Sequence, residues 1–268
     1  MYSYEHINYL KKIKRNNIII KLFQISIIIL FIILWQMLAD FKLIDTFIFS
    51  SPKLIINTII NLYKNNNLFP HIWVTLYETI ISFSLATILG ILIASILWWN
   101  KFIAKVIDPY LTILNSLPKV ALGPIIIIWF GSGIKSIIVM ALLISLIITI
   151  INIYLGFINI DNNKLKLMKS FKANKYQIYK YLILPGNINT IISSLKINIS
   201  MSLIGVIMGE FLVSKKGIGY LIVYGSQVFN LNLVITGIII LCIVSAIMYY
   251  LVNILEKFIC KQKTTINR

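Results

Sequence analysis

The stretch KLKLMKSFKANKYQIYKYLILPGN (Lys164–Asn187) is basic, rich in aromatics, and flanked by two long apolar runs, Ile134–Ile158 and Ile191–Val213. A helix needs about 20 apolar residues to cross a hydrocarbon core about 30 Å thick. Each flanking run is long enough, whereas the segment between them carries six lysines and has to stay out of lipid. Two lipid-embedded helices joined by a charged, helix-like insert set the pattern for the rest of the chain.

Working outward, four further apolar runs appear: Ile18–Ala39, Ile72–Trp99, Tyr110–Phe130 and Leu231–Leu255. The 268 residues are 59% apolar and 12% charged, with mean hydropathy +0.90, far from the roughly 25% charge of soluble domains. Backbone polar groups in lipid must be satisfied within the spanning segment, and these runs exceed the length of barrel strands, so they are helices. The expected fold is an all-α membrane protein with six transmembrane helices. No tandem repeat and no appended soluble domain interrupts it. The expected divisions are residues 1–71 (N-terminal cytoplasmic tail, first span and an outer amphipathic helix), 72–258 (the transmembrane core) and 259–268 (a cytoplasmic tail).

With the N-terminus in the cytoplasm, 17 of the 25 basic residues fall on the inner side. Six fall outside, and Lys119 and Lys196 lie within spans or at their edges. This bias follows the positive-inside rule and places both termini and the quoted stretch in the cytoplasm. The net charge of +17 thus reflects topology. Its lysines are scattered over short loops rather than gathered in one domain, which argues against nucleic acid as a partner. The basic start KKIKR (Lys11–Arg15) precedes a run longer than a signal-peptide core with no small-residue cleavage site after it, so the run is expected to remain as the first helix. Cys242 and Cys260 are placed where no disulfide is expected. His6 and His71 fall on opposite sides of the membrane. No metal site is expected.

Ser51-Pro52 reads as an N-cap followed by proline at the first helical position, opening an amphipathic helix to about Tyr63. That helix either lies on the outer surface or packs over neighbouring spans. After the fourth span, Asp161 is expected to cap a short helix through Phe171, and a second helix runs from Lys175 to Leu184, ended by Pro185-Gly186. Tyr176, Tyr179 and Ile183 then share an apolar face beside Lys175 and Lys180. Such a face suits either the membrane surface or another protein.

Within KSFKANKYQIYKYLILPGNINTIISSLKINI (Lys169–Ile199), Leu182, Ile183, Leu184 and Pro185 resemble the I-x-L-P end of the cytoplasmic loop in permease subunits of binding-protein-dependent ABC importers. In that loop an EAA triplet, three residues and a glycine precede nine residues and I-x-L-P. Alignment on Pro185 puts Lys172 at the glycine and Lys166, Leu167 and Met168 at the triplet. A left-handed turn would strain Lys172, and Asn174, which tolerates that region, is the alternative place for it. SLPKVALGPIIIIWFGSGIKS (Ser116–Ser136) resembles the third-span signature of the subfamily importing nitrate, sulfonates and taurine, through Pro118, Ala121, Pro124, Trp129, Phe130, Gly131 and Gly133. Gly156 and Asp161 match the end of the fourth span, and GVIMGEFLVSKKGIGYLI (Gly205–Ile222) resembles the fifth-span ending.

The resemblance implies the MetI-like permease fold with a cytoplasmic coupling-helix loop between helices 4 and 5. It implies a transport subunit, not an enzyme, that forms the pathway for a small solute of the nitrate, sulfonate, taurine, thiamine-precursor or riboflavin class. Partners implied are ABC ATPase subunits, an extracytoplasmic substrate-binding protein, a second permease copy in a homodimer, and the bilayer. ATP is used by the partners, and no cofactor is bound by this chain. The coupling residues implied are Lys172, Ala173, Asn174, Lys175, Tyr176, Gln177, Ile178, Tyr179, Lys180, Leu184 and Pro185. A permease for another solute class, a passive channel and a membrane-embedded enzyme are the rival readings.

Individual polar residues in or near spans leave alternatives open. Glu210, near the outer end of the fifth span, reads either as a pathway or gating group, or as a partner of Lys215 or Lys216 or a helix cap. Lys119 follows Pro118, where a freed carbonyl and a bend are expected. It reads as a pathway cation or as a side chain reaching the cytoplasmic interface. Glu78 and Asp108-Pro109 read as interfacial or capping groups. Gly131, Gly133, Gly217 and Gly219 fit tight outer turns. Ser193, Ser194, Ser200, Ser202 and Gly205 allow close helix contact. The chain has no GxxxxGK[ST] loop, no HExxH and no Ser/His/Asp arrangement, so catalysis has no candidate residues.

Overall fold

The computed structural model describes the backbone of residues 4–266 and the side chains of residues 12–16 and 18–257. His6, Lys11 and Cys260 lie outside the described side chains. Among the described residues, five helices are long and apolar enough to cross a membrane. They belong to α1 (Tyr4–Asp40), α4 (Leu68–Trp99), α7 (Ile134–Ile158), α11 (Ile188–Val213) and α13 (Leu231–Ile266). Short helices α2 (Thr46–Phe49) and α3 (Pro52–Lys64) follow α1. Ser51 caps α3 by accepting from the Leu54 N–H at 3.3 Å, as the Ser-Pro pair predicts. Of the two placements open to this helix, it takes the packed one, with Ile59 set against the apolar cluster of α13.

The third span is not one straight helix over Tyr110–Phe130: it bends at Pro118, as expected there, and begins earlier. Helix α5 (Lys101–Ser116) meets a 3₁₀ turn (Lys119–Leu122) and α6 (Gly123–Phe130) at an 89° bend, and only the pair together has the length of a span. Proline forces the residue before it out of helical geometry, and Leu117 is extended at φ −65°, ψ 138°. The start also moves. Asn100 caps α5 by accepting from the N–H groups of Phe102 and Ile103 at 3.0 and 3.2 Å. Asp108-Pro109 therefore lies inside a helix rather than at its beginning.

The core is α4, α7 and α11, with α7 packed most extensively on both others. Small residues permit that approach: a Cβ on Gly205 would meet the Ala141 backbone, and one on Gly209 would lie 3.0 Å from the Ile137 Cα. In lipid, packing and interhelical hydrogen bonds replace the hydrophobic drive between helices. Asn198 on α11 supplies one such bond, donating to Thr87 Oγ1 on α4 at 2.7 Å. Helix α13 joins the bundle through Ile240, Val244, Met248 and Val252, and its Glu256 pairs with Lys196 of α11 at 2.6 Å. Helix α1 buries only Ala39 among its described side chains, and Gln36 ties it to α3 by accepting from the Lys53 N–H at 3.1 Å.

Candidate functional site

Between α7 and α11 the quoted stretch folds into α8 (Asn162–Ser170), α9 (Lys175–Ile178), a π turn (Tyr179–Ile183) and α10 (Leu184–Gly186). Asp161 caps α8 as expected, accepting from the Asn163 N–H at 2.8 Å. The far end of α8 is a Schellman motif. Ala173 N–H donates to Met168 C=O at 3.1 Å and Lys172 N–H to Lys169 C=O at 2.9 Å. Lys172 takes the left-handed position, φ 55°.

The loop therefore keeps the turn that a glycine would make easy. That turn does not shift to Asn174, which has φ −75° and caps α9 in a complete capping box with Gln177. Its two reciprocal bonds are both 2.8 Å. The second helix continues two residues past Leu184, through Pro185, and ends at Gly186. The ring of a proline crowds the carbonyl four residues back. Here the turn ahead of it is widened, with Leu184 N–H reaching Tyr179 C=O.

Tyr176, Tyr179 and Ile183 do not all share one face: Tyr179 and Ile183 belong to the same apolar cluster, whereas Tyr176 is exposed. Tyr179 points inward. Its ring centroid is 5.3 Å from that of Trp98 and 6.1 Å from that of Phe157. Its hydroxyl is 2.6 Å from Ser95 Oγ, and since Ser95 donates to Ile91 C=O at 2.6 Å, Tyr179 is the donor. Ile178 and Ile183 are buried with it, and Ala173 and Leu184 pack against the same cluster. Lys175 reaches the Trp99 carbonyl and lies 5.6 Å from the Trp99 ring centroid. On the opposite side Lys172, Asn174, Tyr176, Gln177, Lys180 and Tyr181 are exposed, with Tyr176 at 58% and Tyr181 at 64%. Pro185 is half-buried. The segment is thus a small platform with an anchored underside and a basic, aromatic outer face.

A second cluster lies at the other end of the bundle. Glu210 is buried and forms no ion pair with Lys215 or Lys216. Its Oε1 accepts from the Thr75 hydroxyl at 2.6 Å and its Oε2 from the Gly219 N–H at 2.5 Å. Gly219 is in the first turn of α12 (Ile218–Gln227), so the carboxylate caps that helix. Gly217 (φ 122°) and Gly219 pass so close to Glu210 that a Cβ on either would strike its side chain. His71 Nδ1 accepts from the Gly217 N–H at 2.9 Å, and its ring stacks on Tyr220. Glu78, read from sequence as interfacial or capping, is fully buried beside Glu210. Lys119 is half-buried and donates to the Asn115 carbonyl at 2.9 Å, near the end of α5.

Residues 86–260 match the family described as binding-protein-dependent transport system inner membrane component. A probable ABC transporter permease protein of Haemophilus influenzae is 29% identical over 85% of this chain and 93% of its own length. A putative aliphatic sulfonates transport permease protein of Bacillus subtilis is 25% identical over 87% of this chain and 85% of its own. Among solved structures, an inward-facing MetNI methionine ABC transporter superposes with TM-score 0.62 at 18% identity, covering 73% of this chain and 95% of that one. At that identity the likeness concerns the fold.

Proposed function

The chain belongs to the binding-protein-dependent transport system inner membrane components, and from that premise we propose how this permease subunit of an ABC importer receives work from its ATPase subunits. The outer face of the Lys172–Pro185 platform is the surface the ATPases hold, with Tyr176, Lys180 and Tyr181 as the contact. Tyr179, Ile178 and Ile183 transmit the pull to α4 and α7. The observation that carries this reading is the two-sidedness of the platform: exposed tyrosines and lysines above, a packed aromatic anchor below. A lever must be stiff on one side and accessible on the other.

Both termini then face the cytoplasm, a reading supported by the lysine distribution, and two copies of the chain enclose the pathway. The solute is a small one of the nitrate, sulfonate, taurine, thiamine-precursor or riboflavin class, a reading supported by the sulfonate permease relative. Its choice among these rests largely with the binding protein.

The test is a vesicle-reconstituted transporter carrying Tyr176→Glu and Lys180→Glu. Assembly of the membrane domain should survive, because both side chains are exposed, while solute-stimulated ATP hydrolysis and uptake fall together. Wild-type uptake in that variant would remove this face from the coupling path.

A further inference from the structure

The carboxyl groups of Glu78 and Glu210 lie together inside the bundle, away from the coupling platform. Glu210 has a donor on each oxygen, the Thr75 hydroxyl and the Gly219 N–H. Glu78 is fully buried, and neither of its oxygens accepts from a protein N–H or O–H. Its polar neighbour is Glu210, within reach of a hydrogen bond between the two side chains. Among the described residues, no lysine or arginine forms an ion pair with either carboxyl group.

Two ionised carboxylates are acceptors only and cannot bond to each other; a bond forms once one of them carries a proton. Leaving both ionised would place two desolvated like charges side by side. We propose that Glu78 and Glu210 form a binding site for a single proton, with a neutral Glu78 donating to the Glu210 carboxylate. The remaining negative charge is met by the Thr75 hydroxyl and the N-terminus of α12, a favourable place for an anion.

A cavity of about 330 Å³ reaches Glu78 and is lined by Ser132, Gly133, Lys215 and Lys216 as well. It gives the proton a route to the outer loops. The two lysines disfavour a metal cation in the same place. The other titratable groups nearby are His71, engaged with Gly217, and Tyr220, stacked on His71; the cavity residues from α7, Ile134 and Ile137, are apolar. With the proton bound, α4 is joined to α11 and, through Thr75 and Gly219, to α12. Its loss sets two facing anions between these helices and loosens the outer end.

The experiment is infrared spectroscopy of the reconstituted transporter, wild type and Glu78→Gln, titrated from neutral to alkaline pH. The wild type should show a protonated-carboxyl C=O band at neutral pH that disappears as the pH rises, and the Glu78→Gln variant should lack it. Thermal stability of the wild type should decline relative to the variant over the same range, because an amide donates at every pH. Absence of a titrating protonated-carboxyl band in the wild type overturns the proposal even if the variant fails to assemble. So does a band of equal size in the variant, or stabilisation by sodium or potassium at fixed pH that replaces the pH response.

Discussion

Replacing Lys172 by glycine should tighten the platform rather than disrupt it. Lys172 is the C′ residue of the Schellman motif at φ 55°, a region that costs an L-residue roughly 1–2 kcal/mol. Glycine removes that cost but brings a more flexible unfolded chain, worth about 0.4–1 kcal/mol in the other direction. The difference is about 0.5–1 kcal/mol in favour of glycine. The Lys172 side chain is exposed, so little packing is lost with it. At about 1.4 kcal/mol per factor of ten, local opening should become roughly 2- to 5-fold rarer. Amide exchange at Ala173 reads this directly, because its N–H closes the wider of the two motif bonds, to Met168. Lys172→Val should shift exchange the opposite way, since β-branching is still less compatible with this backbone. Unchanged or faster exchange at Ala173 in the glycine variant would refute the claim that the backbone at this position is strained.

Tyr179→Phe keeps the ring among Trp98, Trp99 and Phe157 but deletes the bond to Ser95, at a cost of about 1 kcal/mol; transporter stability should fall slightly and ATP-driven uptake should persist. Tyr179→Ala removes the anchor as well, with a cost of about 3–5 kcal/mol, and should lower the uptake obtained per ATP hydrolysed. Gly217→Ala should destabilise the Glu210 end of the bundle by about 1–3 kcal/mol, measured as earlier thermal unfolding, because φ 122° and the approach of Glu210 both exclude a Cβ.

Apolar run length located five of the spans within a few residues, because that signal is local and lipid demands it. Run length did not show the break in the third span, because hydropathy does not register the backbone; Pro118 marked the bend, while the cap at Asn100 that moves the start went unread. Caps were legible where a short polar side chain serves its own helix, as with Ser51 and Asp161. The facing of Tyr179 was not, since what turns it inward is its contact with Trp98 of α4 and Phe157 of α7, which its own helix does not encode. The Glu78–Glu210 pair joins residues far apart in sequence, and nothing in either local pattern names the other.

The two clusters meet on one element. Ser95 receives Tyr179 near one end of α4, while Thr75 holds Glu210 near the other. The stretch of helix between Thr75 and Ser95 is about 30 Å long at 1.5 Å per residue. Along it Gly90 lies against Thr149 of α7 and Thr87 is bonded to Asn198 of α11, so α4 is braced along its length. A displacement of the platform therefore loads a stiff rod whose far end carries the carboxyl pair. Rigid-body movement of α4 has to be accommodated where its contacts can separate, and at the end opposite the platform His71 and Thr75 hold it by polar bonds. Apolar packing around Tyr179 tolerates sliding poorly, because its close-packed rings lose contact with small shifts. If the platform is the surface the ATPase subunits hold, the anchored end is the one to transmit and the hydrogen-bonded end the one to yield.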